Sequence, residues 1–324
     1  MTKTKTNNTS TDLSAEELMK KFDKDSKNRN LTGVYKTVYN AFLIAFAVYI
    51  LFVALLSEGM TEFTKLPLFL GFIMVLGYFK FPACEKDAEK ENYLPWYDIL
   101  LAIISFGCCL YYVINQNEII YMGGHIQTEQ IIIGILCIIC LFELCRRAIG
   151  VPLMVVAGAF IIYAIIWLFS NNPATVIRNL IFNLFYNLNC GIFSTPVAVC
   201  SSFIVIFIIF GSFLEKTGIG TFFVDLANSL VGTAAGGPAK VAVISSALEG
   251  MYSGSSVANT VGSGSITIPV MKNTGYRPEF AAAVEAAAST GGQIMPPIMG
   301  AAAFLMSQIT GFPYSTIVVC AILP

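Results

Sequence analysis

The sequence predicts an all-α, polytopic membrane protein, and three observations predict it. Hydrophobic residues make up 56% of the 324-residue chain and charged residues only 12%, a balance that excludes a soluble globular chain. The apolar residues gather in runs long enough to cross a hydrocarbon layer of about 30 Å as helices. Toward the C-terminal end, two polar patches of small residues interrupt apolar segments. In lipid an amide without a partner is costly, so unwound backbone at membrane depth persists only against protein or a wet cavity. Such interruptions mark sites.

The chain opens with a polar tail, residues 1–38, with a short helix expected over Ala15–Phe22 and no signal-peptide pattern. Residues 39–146 read as a four-span region: Tyr39–Leu56, Leu66–Phe81, Tyr97–Ile114 and Ile131–Leu144, with Trp96, Tyr97 and Tyr111 near the interfaces. Positive charge sets the orientation. The tail carries Lys20, Lys21, Lys24, Lys27, Arg29 and Lys36, the second loop Lys80, Lys86 and Lys90, and Arg146 and Arg147 follow the fourth span. The alternate loops, around Glu58–Glu62 and Asn115–Glu129, hold only Lys65, so the N-terminus is expected to be cytoplasmic.

Residues 147–190 read as a connector. Pro152–Phe169 is a fifth span, and Asn171–Asn189 carries Ile177, Leu180, Ile181, Leu184 and Phe185 on one helical face, the pattern of an interfacial helix. Residues 191–324 begin a larger domain with a span at Val197–Leu214 and an amphipathic arm at Thr221–Leu230. From Gly232 the composition turns to Ala, Gly, Ser and Thr, which let helices approach closely in lipid. Ala239–Glu249, a break at Ser253–Ser265 and a return through Ile266–Met271 suggest a hairpin that enters and leaves on one side. Phe280–Ser289 and Gly300–Met306 then form halves of one helix broken at Gly291–Pro297, within a second polar patch that starts at Ser289. Pro313–Pro324 enters another apolar run, and the chain reads as a fragment ending within a span.

Hydroxyl, amide and freed carbonyl oxygens suit a small hard cation such as sodium, and half-helix N-termini suit an anion. The candidate ion ligands are Ser255, Ser256, Asn259, Thr260, Gly291 and Gly292, and the candidate substrate-facing residues Gln293, Pro296 and Pro297. Glu249 and Glu285, carboxylates flanked by apolar residues, are candidate ion or proton couplers. Lys240 and Arg277 read as boundary residues. A single histidine, His125, leaves neither a histidine metal site nor a Ser/His/Asp triad, and no G-x-S-x-G element is present. An enzyme is therefore not expected; a membrane-embedded acid–base enzyme and an inert scaffold are the rival readings. No organic cofactor or transition-metal site is expected. The Gly262–Ser265 run lacks the lysine and strand of a phosphate loop. Cys108, Cys109, Cys137, Cys140 and Cys200 lie in apolar runs and read as small buried hydrophobes. The near-neutral charge gives no support to nucleic-acid binding.

The strings GMYSGSSVANTVGSGSITIPVMKNTGY and GGQIMPPIMGAAAFLM resemble the membrane component of tripartite ATP-independent periplasmic (TRAP) transporters, and more closely the fused type in which a four-span small subunit precedes the large one. The resemblance implies a permease of the bacterial inner membrane that takes up an organic acid anion with sodium, is fed by an extracytoplasmic solute-binding protein of the TAXI type, and moves in an elevator-like manner. It also implies two inverted repeats, of which this sequence holds the first hairpin and broken helix.

Overall fold

The computed structural model describes residues 29, 31–56, 60–83, 94–121, 126–171 and 175–323. The tail helix at Ala15–Phe22, most of the tail lysines, Lys86, Lys90 and His125 lie outside the described residues. The helices are α1 Gly33–Leu56, α2 Glu62–Lys80, α3 Trp96–Ile114, α4 Gln116–Tyr121, α5 Thr128–Ala148, α6 Val151–Asn171 and α7 Val176–Tyr186. They continue as α8 Thr195–Lys216, α9 Ile219–Val231, α10 Gly237–Ser253, α11 Ser256–Asn273, α12 Pro278–Gly292, α13 Ala301–Thr310 and α14 Tyr314–Cys320. Among the described residues, five helices are long and apolar enough to cross a membrane: α1, α2, α3, α6 and α8. The fourth expected span forms the middle of α5, whose 21 residues carry Arg146 and Arg147 in the last turn.

The N-terminal bundle is held by one apolar core. Met74 and Tyr78 of α2, Cys108, Cys109 and Tyr112 of α3, and Cys137 and Cys140 of α5 are all buried in it, so the thiols serve as small hydrophobes. Hydrogen bonds fix its register, because a buried hydroxyl needs a partner. Tyr78 Oη donates to the Cys140 carbonyl at 2.6 Å, Tyr112 Oη to the Tyr186 carbonyl at 2.9 Å, and Tyr186 Oη to the Gln130 carbonyl at 2.8 Å.

Three expectations change here. Arg29, placed in a solvated tail, is 5% exposed, and its guanidinium meets Asp98 Oδ2 at 2.6 Å. Arg147 takes the other oxygen, Asp98 Oδ1, at 2.6 Å, and also bonds Glu143. A buried charge has to be paired, so Asp98 draws both arginines in. The backbone N–H of Arg29 donates to the Lys80 carbonyl at 2.9 Å. The chain before α1, the end of α2, the start of α3 and the end of α5 therefore share one face of the bundle, as alternating spans require. Thr61, Thr64 and Gln116 bond at the opposite face.

Second, the stretch read as an interfacial helix is α7, whose apolar face is covered by protein: Ile181, Phe185 and Tyr186 sit in the bundle core. Gly134 of α5 makes room, since a Cβ there would crowd the Ile181 side chain. The Thr221–Leu230 arm is likewise a packed helix, α9, with Ala227 fully buried and Phe223 6.1 Å from the Tyr252 ring of α10. By contrast none of the residues of α6 whose burial is described is buried. Beyond the bundle, α8 packs on α1 and α2 through Val205, Ile206 and Ile209 and carries on toward the C-terminal helices. There Phe304 stacks between Phe207 and Tyr314, at 5.2 and 4.5 Å between ring centroids.

Candidate functional site

The expected hairpin forms from α10 and α11, and the expected broken helix from α12 and α13. Both breaks are shorter or later than the composition suggests. The Ser253–Ser265 interruption is unwound only at Gly254 and Ser255; Ser256 through Ser265 are helical. The small residues there serve close packing: a Cβ on Gly262 would stand 2.8 Å from Glu249 Cδ, and one on Gly264 2.8 Å from Glu285 Cγ. In the second patch Ser289–Gly292 still belong to α12, and the break runs from Gln293 to Gly300.

The turn between the arms is built locally. Gly254 adopts φ +60°, the left-handed conformation that glycine reaches without steric cost, and its N–H caps α10 on the Gly250 carbonyl at 3.2 Å. Ser255 caps α11, its Oγ accepting the Ala258 N–H at 3.3 Å. The tip then meets the break. A Cβ on Gly254 would clash with the Met299 carbonyl, and the Ile298 N–H donates to the Met251 carbonyl at 3.4 Å. Met299, buried, carries φ +58°, a strained value for a side chain of its size. Thus the C-terminal ends of α10 and α12 and the N-terminal ends of α11 and α13 converge on one place.

Side chains tie them there. Asn259 is fully buried; its Nδ2 donates to the Ser246 carbonyl at 3.4 Å and its Oδ1 accepts from Ser253 Oγ. Gly292 lies against it, because a Cβ on Gly292 would stand 2.6 Å from Asn259 Nδ2. Gln293 Nε2 donates to Ser256 Oγ at 3.0 Å. The structure thus brings Ser255, Ser256, Asn259, Gly292 and Gln293 together. It places the other candidates differently. Thr260 Oγ1 donates to its own helix at the Ser256 carbonyl, Gly291 and Pro296 line a separate apolar cavity of about 790 Å³, and the Pro297 carbonyl accepts from Tyr314 Oη at 2.9 Å.

Glu285 is fully buried between α11 and α12 and accepts three hydroxyls: Ser263 at 2.7 Å, Thr267 at 2.6 Å and Ser289 at 3.2 Å. Ser289 continues to Ser246 of α10 at 3.1 Å. Glu249 accepts the Ser263 N–H on Oε2 at 2.8 Å. Ser246, Ser253, Ser263, Thr267 and Ser289 were not among the candidate site residues of the sequence reading, although Ser253, Ser263 and Ser289 lie in its polar patches. The signal was there: Asn259, Ser263 and Thr267 recur every four residues, one helical stripe, hidden by treating the Gly/Ser run as unwound. Among the described residues no group of three or more His, Cys, Asp or Glu side chains is placed to hold a metal ion.

Residues 136–324, more than half of the chain, match the family described as "Tripartite ATP-independent periplasmic transporter, DctM component". Among curated relatives, the C4-dicarboxylate TRAP transporter large permease protein DctM of Vibrio cholerae is 32% identical over 149 residues, 46% of this chain and 30% of the relative. The protein of the same name from Rhodobacter capsulatus is 36% identical over 91 residues, 28% of this chain and 21% of the relative. The sialic acid TRAP transporter permease protein SiaT of Haemophilus influenzae is 24% identical over 227 residues, 69% of this chain and 34% of the relative. That stretch exceeds the family match, so the likeness runs back into the helices before residue 136. The chain spans only 21–34% of the length of these relatives. No solved structure matches it.

Proposed function

The chain belongs to the DctM family of tripartite ATP-independent periplasmic transporters, a family of multi-pass membrane permeases, and from that membership we propose that it serves sodium-coupled uptake of an organic acid anion. The single observation that carries the reading is the meeting of four helix ends at the hairpin tip. The N-terminal ends of α11 and α13 offer unpaired N–H groups and positive dipole ends to a carboxylate. The C-terminal ends of α10 and α12 offer carbonyls, and Ser253, Ser255, Ser256 and Asn259 add side-chain oxygens for sodium. Gln293, already bonded to Ser256, is the amide best placed to read the anion. Energy comes from the ion gradient, since each positive charge carried inward gains about 2.3 kcal/mol per 100 mV.

In this reading α1–α5 are a small-subunit-like scaffold fused ahead of the permease, and the N-terminus is cytoplasmic, on the face where Arg29, Asp98 and Arg147 meet. An extracytoplasmic solute-binding protein, of the TAXI type by the resemblance of the motif strings, delivers the anion. Uptake into vesicles by the full-length permease with its binding protein tests the proposal. Uptake should collapse when sodium is replaced by potassium and fall at least tenfold in Asn259→Ala; uptake indifferent to both would overturn it.

A further inference from the structure

Backbone outside a helix has no ladder to satisfy it, so the Gln293–Gly300 break needs hydrogen-bond partners of its own. At its start Gln293, Ile294 and Met295 donate back to α12. Further on, Ile298 donates to the Met251 carbonyl at 3.4 Å and Gly300 to the Gln293 carbonyl at 2.7 Å. Two of its carbonyls are served from elsewhere. Tyr314 Oη, at the start of α14, donates to the Pro297 carbonyl at 2.9 Å and also meets the Ile298 carbonyl. A phenol has one hydrogen, so the two carbonyls share it. Among the described residues no other side chain donates to a carbonyl of the break.

Local structure brings the hydroxyl there. Gly311 ends α13 at φ +72°, its N–H on the Ser307 carbonyl at 3.0 Å, and Ser307 Oγ donates to the Phe312 carbonyl at 2.8 Å. The chain folds back, and the Tyr314 ring lies flat on Phe304, 4.5 Å between centroids and 5° between planes. Phe304 is itself buried against Phe207 of α8. No residue of α14 is buried, so the stack and the hydroxyl, not burial of the helix, place Tyr314. What the hydroxyl holds is the stretch that meets the hairpin tip. A Cβ on Gly254 would press on the Met299 carbonyl, and one on Gly300 would lie 3.4 Å from the Gly254 carbonyl oxygen. The Ile298 carbonyl belongs to the rigid peptide plane that enters Met299, so its direction helps set the φ of +58° there. Such a conformation survives only where its surroundings hold it.

We propose that Tyr314 is a positioning residue for the hairpin-tip site: by pinning the Pro297 and Ile298 carbonyls it fixes the backbone that meets Gly254 and, through Gly254, the turn that carries Ser253, Ser255 and Ser256. Without the hydroxyl both peptide planes turn, and a cation binding at the tip must order them first, which weakens its binding. The clamp is a property of the fold; its effect on sodium rests on the permease reading.

Hydrogen exchange and binding of radiolabelled sodium, both on the purified full-length permease, test this without any solute. Tyr314→Phe keeps the ring and its stack and deletes only the hydroxyl. Its amides at Ile298 and Gly300 should exchange roughly three- to tenfold faster in potassium chloride, the worth of one hydrogen bond, and its Kd for sodium should rise by a similar factor. Tyr112→Phe removes a matching bond in the N-terminal bundle, Tyr112 Oη to the Tyr186 carbonyl at 2.9 Å, and should move neither. Unchanged exchange in Tyr314→Phe, faster exchange with sodium binding unmoved, or equal effects in Tyr112→Phe would each overturn the inference. A wild-type permease that binds no sodium, with exchange at the break quickened by Tyr314→Phe and not by Tyr112→Phe, would sink the sodium reading and leave the clamp standing.

Discussion

Gly250 and Gly292 pack backbone to backbone: a Cβ on Gly250 would stand 2.5 Å from the Gly292 Cα and 2.6 Å from its carbonyl carbon. Backbone cannot swing aside as a side-chain end can, so Gly250→Ala must push the hairpin off the broken helix. Overpacking of this kind costs about 1–3 kcal/mol and occasionally more, and here the upper end is expected. Gly291, one residue before Gly292, has nothing within 4 Å of its would-be Cβ. Gly291→Ala should therefore be neutral or gain up to about 1 kcal/mol from helix propensity. Thermal unfolding of the two variants in detergent checks the contrast; equal melting temperatures would refute the close approach.

The hairpin and broken helix were legible in the sequence because Gly, Ser, Asn and paired prolines gathered inside apolar runs mark interrupted or closely packed helices in lipid. Their extent was not. Gly262, Ser263, Gly264 and Ser265 have the composition of a turn, yet they are helical because the tertiary fit rewards it: glycines admit the two glutamates, and Ser263 binds both. Composition reports that two backbones come close, not whether the close segment is coiled. The Arg29–Asp98–Arg147 cluster was hidden for a similar reason, since a lone basic residue before a span reads as a topology signal and only the fold reveals its partner.

Asp98 is the hinge of that cluster, with an arginine on each oxygen. Asp98→Ala leaves the buried Arg29 guanidinium without its counter-charge and Arg147 with Glu143 alone, a loss of about 3–5 kcal/mol for a broken buried pair. Glu143→Ala, whose carboxylate is 29% exposed, should cost less than about 1 kcal/mol, as solvent screens that pair. Denaturant-dependent unfolding followed by the bundle's tyrosine fluorescence separates them. Similar losses would show that Asp98 is not the organising charge.

Glu285→Ala strips the common acceptor from Ser263, Thr267 and Ser289. Ser263 has the Asn259 carbonyl at 2.9 Å and Ser289 has Ser246 as alternatives, but the Thr267 hydroxyl has no other partner among the described residues. One stranded hydroxyl costs about 1–3 kcal/mol and the space left by the side chain adds to it. Thr267→Val should suppress part of the penalty in the double variant, and a double variant as unstable as the sum of its singles would contradict the shared acceptor.

Gly262 and Gly264 offer the sharpest comparison, since both face a glutamate across the same helix. A Cβ on Gly262 collides with the carboxylate end of Glu249, which borders a cavity of about 730 Å³ and has space to swing into. The cost of Gly262→Ala is then little more than the Ser263 N–H bond, about 1 kcal/mol, partly offset by alanine's helix propensity. A Cβ on Gly264 instead meets the stem of Glu285 at Cγ, inside an enclosure with no exposure. Nothing there can yield without breaking three hydroxyl bonds, so Gly264→Ala should lower the melting temperature far more than Gly262→Ala. Equal thermal losses would mean that the two notches do not hold the two acids apart in the way their surroundings dictate.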